Sequence, residues 1–205
     1  EGQKMPPEKG TGQRWDFNPD TNLIQILASN AAGIPDRIAL REKDRGIWQQ
    51  TTWVQWLELT LSCAAGLEAL GFTGNDGLLV LGDNRPNLYT GMLAAASLAG
   101  HAMPVYPDAT GDEIRHVLLH SDVRFVLAED QEQVDKILEL RDATLPLERI
   151  IYDDPRGLNA YEDSGLVSWQ KLIEQGAARL KNEPGLRDQL IARAKPDDAL
   201  VFIHS

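Results

Sequence analysis

The sequence predicts an α/β fold: a mostly parallel sheet flanked by helices on both faces, with a small antiparallel hairpin near the N-terminus. Three observations predict it. Short, uninterrupted apolar runs such as GLLVL and RFVLA alternate with segments whose apolar residues recur at helical spacing. The runs lack the in-out alternation of a sheet wetted on one face, so both of their faces are covered. Near the start, two polar-rich extended runs flank Asp44-Arg45-Gly46, a turn sequence. The composition, 42% hydrophobic and 25% charged over 205 residues, is that of a globular chain with a sizeable core.

Residues 1–20, rich in Gly, Pro and charge, are read as a flexible arm, and residues 21–205 as the folded unit. The first helix takes its apolar face from Leu23, Ile24, Ile26 and Leu27 and ends at Gly33 and Pro35. The hairpin pairs residues 37–43 with 47–51. Thr52 and Gln55 make a capping box that opens a helix with Trp53, Trp56, Leu57, Ala64, Leu67 and Leu70 on one face and Gly71 as its stop. Then come a strand at 77–83 and an alanine-rich helix with Pro86 in its first turn, where the missing N–H costs little. A strand at 101–106 precedes a helix that Thr110 and Glu113 cap. Strands at 123–129 and 148–154 follow, separated by the helix DQEQVDKILELRD. A helix capped by Ser168, a surface helix and connector in KNEPGLRDQLIARAKPDD, and a buried core strand in ALVFIHS complete the chain.

The chain carries a formal net charge of −11, which excludes a nucleic-acid partner, since phosphate binding needs a basic face, and gives no general attraction to anionic lipid. The single cysteine, Cys63, lies in a helical pattern and reads as a small buried side chain in a reducing compartment. The opening residues contain no apolar signal-peptide core. The longest apolar stretch, GMLAAASLAGHAMPVY, is too short to span a bilayer.

No complete catalytic set is visible. His116 and His120 share a helix face but lack further ligands at metal-site spacing, so they read as surface residues. LGDNRPN is not a dinucleotide fingerprint, no GxxxxGK[ST] occurs, and GFTGND is a plain helix-to-strand connection. The acidic pairs Asp153-Asp154 and Asp197-Asp198 read as solvated turns. Trp48, Trp53 and Trp56 read as core and hairpin packing.

The stretch from GLLVLGDNRPNLYTG to VRFVLAED carries a family resemblance. Its elements are Thr52-Trp53 opening a helix, a strand, Asn84-Arg85-Pro86 opening an alanine-rich helix, the Pro104–Asp108 segment, His120-Ser121-Asp122, and a strand ending in Glu129. Together they resemble the N-terminal part of the adenylate-forming (AMP-binding) enzyme superfamily, and within it a bacterial long-chain acyl-CoA synthetase. The resemblance implies that ALVFIHS leads into a phosphate loop with Ser205 at its first position and His204 where the family often has Tyr. It places the family's catalytic residues beyond Ser205, so no catalytic or metal-binding residue is carried over onto this chain. The full-length parent is then expected to activate a fatty acid or other carboxylate with ATP and Mg and transfer the acyl group to coenzyme A. Residues 21–205 are expected to be an incomplete domain, truncated at the start of the phosphate loop, inactive alone and binding none of these groups well. Self-association through exposed surface, and a cytoplasmic location that extends to peripheral contact with a membrane, go with that expectation. Three alternatives stand beside it: another acyl- or aryl-activating ligase of the superfamily, a stand-alone non-catalytic binding or scaffolding module, and a nucleotide-binding regulatory domain.

Overall fold

The computed structural model describes residues 18, 20–121, 123–142 and 144–203. In chain order the elements are α1 (Leu23–Gly33), β1 (Ile38–Asp44), β2 (Ile47–Thr52), α2 (Trp53–Ala69), β3 (Gly77–Leu81), α3 (Pro86–Ser97), β4 (His101–Val105), α4 (Gly111–Ser121), β5 (Phe125–Ala128), α5 (Gln131–Leu140), β6 (Arg149–Tyr152), β7 (Leu166–Ser168), α6 (Trp169–Asn182) and α7 (Leu186–Ala192). Apart from Asn18 and Asp20, the expected arm lies outside the described residues.

Five of the helices, α1, α2, α4, α5 and α6, begin where side chains satisfy their free N–H groups. Thr52 Oγ1 accepts from the Gln55 N–H at 3.4 Å while Gln55 Oε1 accepts from the Thr52 N–H at 2.9 Å, closing the predicted box. Thr110 and Glu113 reciprocate in the same way before α4. Asn22, Asp130 and Ser168 cap α1, α5 and α6.

β1 and β2 form a two-stranded antiparallel ribbon, and five parallel strands run in the order β4-β3-β5-β6-β7. The chain starts in the interior of the sheet at β3, steps outward to β4, then crosses back to β5 and continues the other way. This is a doubly wound sheet whose order reverses between β3 and β5. Along β3, Leu78 and Val80 join one core with α2, α3 and α6, while Leu79 and Leu81 join a second core with α4 and α5. The period of two sends successive side chains to opposite faces, and burying each contributes roughly 1.5–3 kcal/mol. Cys63 is buried in the first core, and the desolvation raises its thiol far above the ordinary range, so it is an inert packing group.

Helices α2 and α6 cross where each carries a glycine. A Cβ on Gly176 would fall on the Ser62 carbonyl, 2.7 Å from its carbon and 2.8 Å from the Gly66 nitrogen. A Cβ on Gly66 would sit 2.5 Å from the Leu172 carbonyl oxygen. The two backbones can approach this closely only without side chains there.

At the amino ends of the strands, Asp76 is 7% exposed and pairs with Arg124, whose Nε donates to Asp76 Oδ1 at 2.7 Å. Asp76 Oδ2 accepts from Arg124 Nη2 at 2.8 Å and from the Thr73 N–H and hydroxyl at 2.6 and 2.9 Å. Burial pushes this carboxyl up, but the hydrogen bonds from Arg124 and Thr73 outweigh it and hold the group below the usual carboxylate range.

Four readings of the sequence need correction. The run ALVFIHS is not a buried core strand: Val201 makes one parallel bridge to Ala102, and Phe202 and Ile203 are 48% and 80% exposed. It lies along the outer edge of β4, held by hydrogen bonds between Ala102 and residues 200 and 202 and by an edge-to-face contact of Phe202 with His101, and among the described residues no element packs on its far side. The KNEPGLRDQLIARAKPDD stretch does hold a helix, α7, but not one confined to the surface: Leu186 and Leu190 are buried and Ser97 Oγ donates to the Leu190 carbonyl at 2.8 Å. In α1 the apolar face is Ile24, Leu27 and Ala31, with Leu23 exposed. Trp53 and Trp56 pack with ring centres 5.7 Å apart, but Trp48 projects from the hairpin, 60% exposed.

Candidate functional site

In a sheet wound this way, ligands bind outside the carboxyl ends of the strands, close to where the order reverses. Four strand ends and the hairpin meet there. β3 ends at Leu81, and the chain turns at Gly82 with φ 153°, a conformation that side-chain-bearing residues rarely adopt. The turn also brings Gly82 against Glu129 at the end of β5, where an added Cβ would sit 2.5 Å from the Glu129 Cβ. Glu129 Oε2 then accepts from the Asp83 N–H at 2.6 Å.

Arg85 ties the arrangement together. Its Nε donates to Glu129 Oε1 at 2.9 Å and its Nη1 to Glu42 Oε1 of the hairpin at 3.0 Å. The two hydrogen-bonded carboxylates raise the already high guanidinium pKa further, so Arg85 is a permanent cation between β1 and β5. Arg85 also precedes Pro86 at the start of α3, where no side chain caps the helix. In the first turn of α3, Asn87 Nδ2 donates to Asp153 Oδ1 at 2.7 Å, linking α3 to the end of β6.

Asp153 and Asp154, expected to form one solvated turn, behave differently. Burial raises the Asp153 carboxyl above its usual range, helped by nearby Glu42, Asp154 and Glu129 and opposed by the Asn87 hydrogen bond. Asp154 pairs with exposed Arg156, and that hydrogen bond lowers its pKa. A raised carboxyl pKa means that the folded state disfavours the charge, so Asp153 reduces stability above its native pKa and the deficit disappears as pH falls through it. Asp153→Asn keeps an acceptor for Asn87 and is expected to increase stability at pH 7, with the advantage shrinking in acid and gone only below the unfolded carboxyl pKa of about 3.9. Urea unfolding at neutral pH and in acid measures both parts.

Beside this network, between the ends of β3 and β4, opens a cleft of about 250 Å³. Val80, Leu88, Met92, Pro104 and Val105 form its apolar walls, with Gly82, Asp83 and Asn84 along one side. Tyr89 and Tyr106 stand at its rim, Tyr106 being 81% exposed. Tyr89 Oη donates to Asn84 Oδ1 at 3.0 Å, which steadies that side. Ile203 also lines the cleft, so the chain reaches its mouth immediately before residues 204–205. The predicted site residue Ser205, with His204, lies outside the described residues.

The cleft suits an apolar or aromatic body with few polar contacts. No described group of three or more His, Cys, Asp or Glu side chains is placed to hold a metal ion. Glu42 and Glu129 already accept from Arg85, so these carboxylates do not fit a Mg site. Cys63, Asp197 and Asp198 take no part in the cleft, and Asp198 Oδ2 instead accepts from the Lys195 N–H at 2.7 Å. The network of Glu42, Arg85, Asn87, Glu129 and Asp153 was not assigned from sequence. Its only trace was the pair of motif elements Asn84-Arg85-Pro86 and the strand ending in Glu129, whose partners lie 44 residues apart.

A doubly wound α/β unit with a mostly apolar cleft where its β3 and β4 loops meet is the class that the fold and site define. The AMP-binding enzyme family model matches residues 27–205, and the chain belongs to the AMP-binding enzyme family. It is similar to the long-chain-fatty-acid–CoA ligase ACSBG2 of Xenopus laevis, 24% identical over 189 residues, covering 91% of this chain and 25% of that protein. It is also similar to 4-hydroxybutyrate–CoA ligase 2 of Metallosphaera sedula, 24% identical over 99% of this chain and 35% of that protein. Among solved structures, coronafacic acid ligase from Pectobacterium brasiliense shares the fold with a TM-score of 0.65 at 16% identity, over 75% of this chain and 29% of that one. The chain thus spans about a quarter to a third of the length of these proteins. Among the described residues, no helix is long and apolar enough to cross a membrane.

Proposed function

We propose that these residues are the N-terminal part of an ATP-dependent acid–CoA ligase acting on a long-chain fatty acid. The observation that carries this reading is the family match over residues 27–205, beside relatives that include a long-chain-fatty-acid–CoA ligase. In the proposed reaction a carboxylate oxygen attacks the α-phosphorus of ATP, forming the acyl-adenylate and releasing pyrophosphate. The coenzyme A thiol then attacks the acyl carbon, gives up its proton, and AMP leaves with the former carboxylate oxygen. Mg, when bound in the whole protein, supplies charge neutralisation at the phosphates.

Within that reaction the described residues position rather than react. The Arg85 network fixes the turn 82–85, and the bridge at Val201 leads the chain past the cleft toward Ser205, the proposed first residue of the phosphate loop. The apolar cleft forms one wall for the acyl group. A cytoplasmic location, at a membrane surface or away from it, accompanies this reading. The similarity to a 4-hydroxybutyrate–CoA ligase supports a second reading, a shorter-chain acid ligase of the same family.

Carboxylate-dependent exchange of labelled pyrophosphate into ATP tests both readings on the complete gene product. Exchange greatest with acids of 12 or more carbons supports the first reading. Exchange greatest with short hydroxy acids replaces it with the second, and no exchange with any acid contradicts both. The 205 residues alone are expected to give none, and robust exchange by that sample overturns the assignment of the reacting groups to the rest of the protein.

A further inference from the structure

We propose that His116 and His120 form an exposed chelating site on α4 for a divalent transition-metal ion. The sequence places them four apart on one helix, one turn above each other. The structure brings their ring centres to 4.0 Å with 38° between the planes, and both side chains are exposed. Two metal–imidazole bonds of about 2.0–2.1 Å to one ion set the nitrogens roughly 3 Å apart, which rings this close reach by side-chain rotation alone.

The hydrogen bonding fixes the donor atom. His120 Nδ1 lies 2.8 Å from the His116 carbonyl oxygen. A carbonyl oxygen only accepts, so Nδ1 carries the proton and the neutral ring keeps its lone pair on Nε2, pointing away from the backbone. Metal-binding histidines characteristically donate their other ring N–H to such a carbonyl, which sets the tautomer and orientation. The pair supplies two protein donors and leaves the remaining positions to water, so the site is open and exchangeable. Imidazole donors of this kind favour copper and nickel over magnesium or calcium, with copper(II) tightest among the divalent first-row ions.

Calorimetric titration of the tag-free chain with nickel(II) and copper(II) chlorides tests the site, with His116→Gln, His120→Gln and the double variant alongside. The expected result is one ion per chain, copper bound more tightly than nickel, and at least about tenfold weaker binding in either single variant. Saturating metal is also expected to raise the melting temperature of the parent chain by several degrees and leave that of the double variant unchanged. Melting without metal separates loss of the site from loss of the fold, because both residues are exposed and their replacement should leave the metal-free transition in place. Affinity retained in the double variant, or no heat of binding at millimolar metal, overturns the proposal.

Discussion

Gly176→Ala is expected to destabilise the chain by at least about 3 kcal/mol. Alanine is ordinarily the better helix former, by about 1 kcal/mol at an exposed interior position, so propensity alone predicts the opposite sign. Here the added methyl would enter the α2 backbone at the Ser62 carbonyl, and neither main chain can yield as a side chain would. Moving the helices apart would also loosen Leu61, Leu67 and Leu172, which fill the layer between them and the sheet. Gly33→Ala provides the matched control, since a Cβ at that helix end meets nothing within 4 Å. Urea unfolding should show the Gly33 variant at or above the parent midpoint and the Gly176 variant far below it or unfolded. Equal midpoints for the two variants would contradict the close crossing of α2 and α6.

Asp76→Ala is expected to cost about 2 kcal/mol, because the buried carboxylate takes two hydrogen bonds from part-exposed Arg124 and two from Thr73, and all four are lost with it. Arg124 would retain Glu148 at 2.7 Å and the Gly71 carbonyl at 3.1 Å but lose both contacts to Asp76. The Thr73 N–H and hydroxyl would lose their acceptor as well. The pH dependence has a definite sign. A carboxyl held lower in the folded state contributes stability that is fully present above its unfolded pKa near 3.9 and is lost as pH falls through the folded value. The gap between the parent and Asp76→Asn should therefore be widest at neutral pH and narrow in acid. A gap that widens below pH 4 would contradict the ion pair.

The parts of the fold legible in the sequence are those that local chemistry decides. Thr52 with Gln55 and Thr110 with Glu113 announce their helices because the capping partners are three residues apart. The runs around Leu79 and Val126 announce buried parallel strands because both faces are covered. β7 was missed because three residues, Leu166 to Ser168, are too few to show any period. ALVFIHS reads as a core strand for the opposite reason: an apolar run states that it can be buried but not how it pairs, and among the described residues Val201 makes a single bridge to the edge of β4. The site follows the same logic. Arg85 meets Glu42 and Glu129 only after the chain has crossed the sheet, so no spacing rule could pair them. The family pattern held two of the three residues, but their contact is a property of the strand order.

The measurement that bears most directly on the central claim follows one oxygen atom. The complete gene product is incubated with ATP, coenzyme A and a long-chain fatty acid whose carboxylate carries ¹⁸O, and the released AMP and pyrophosphate are examined by mass spectrometry. Acyl-adenylate chemistry predicts one ¹⁸O in AMP, none in pyrophosphate, and an acyl-CoA thioester as the other product. ¹⁸O recovered in inorganic phosphate, with ADP in place of AMP, would signal an acyl-phosphate route and contradict the proposed function.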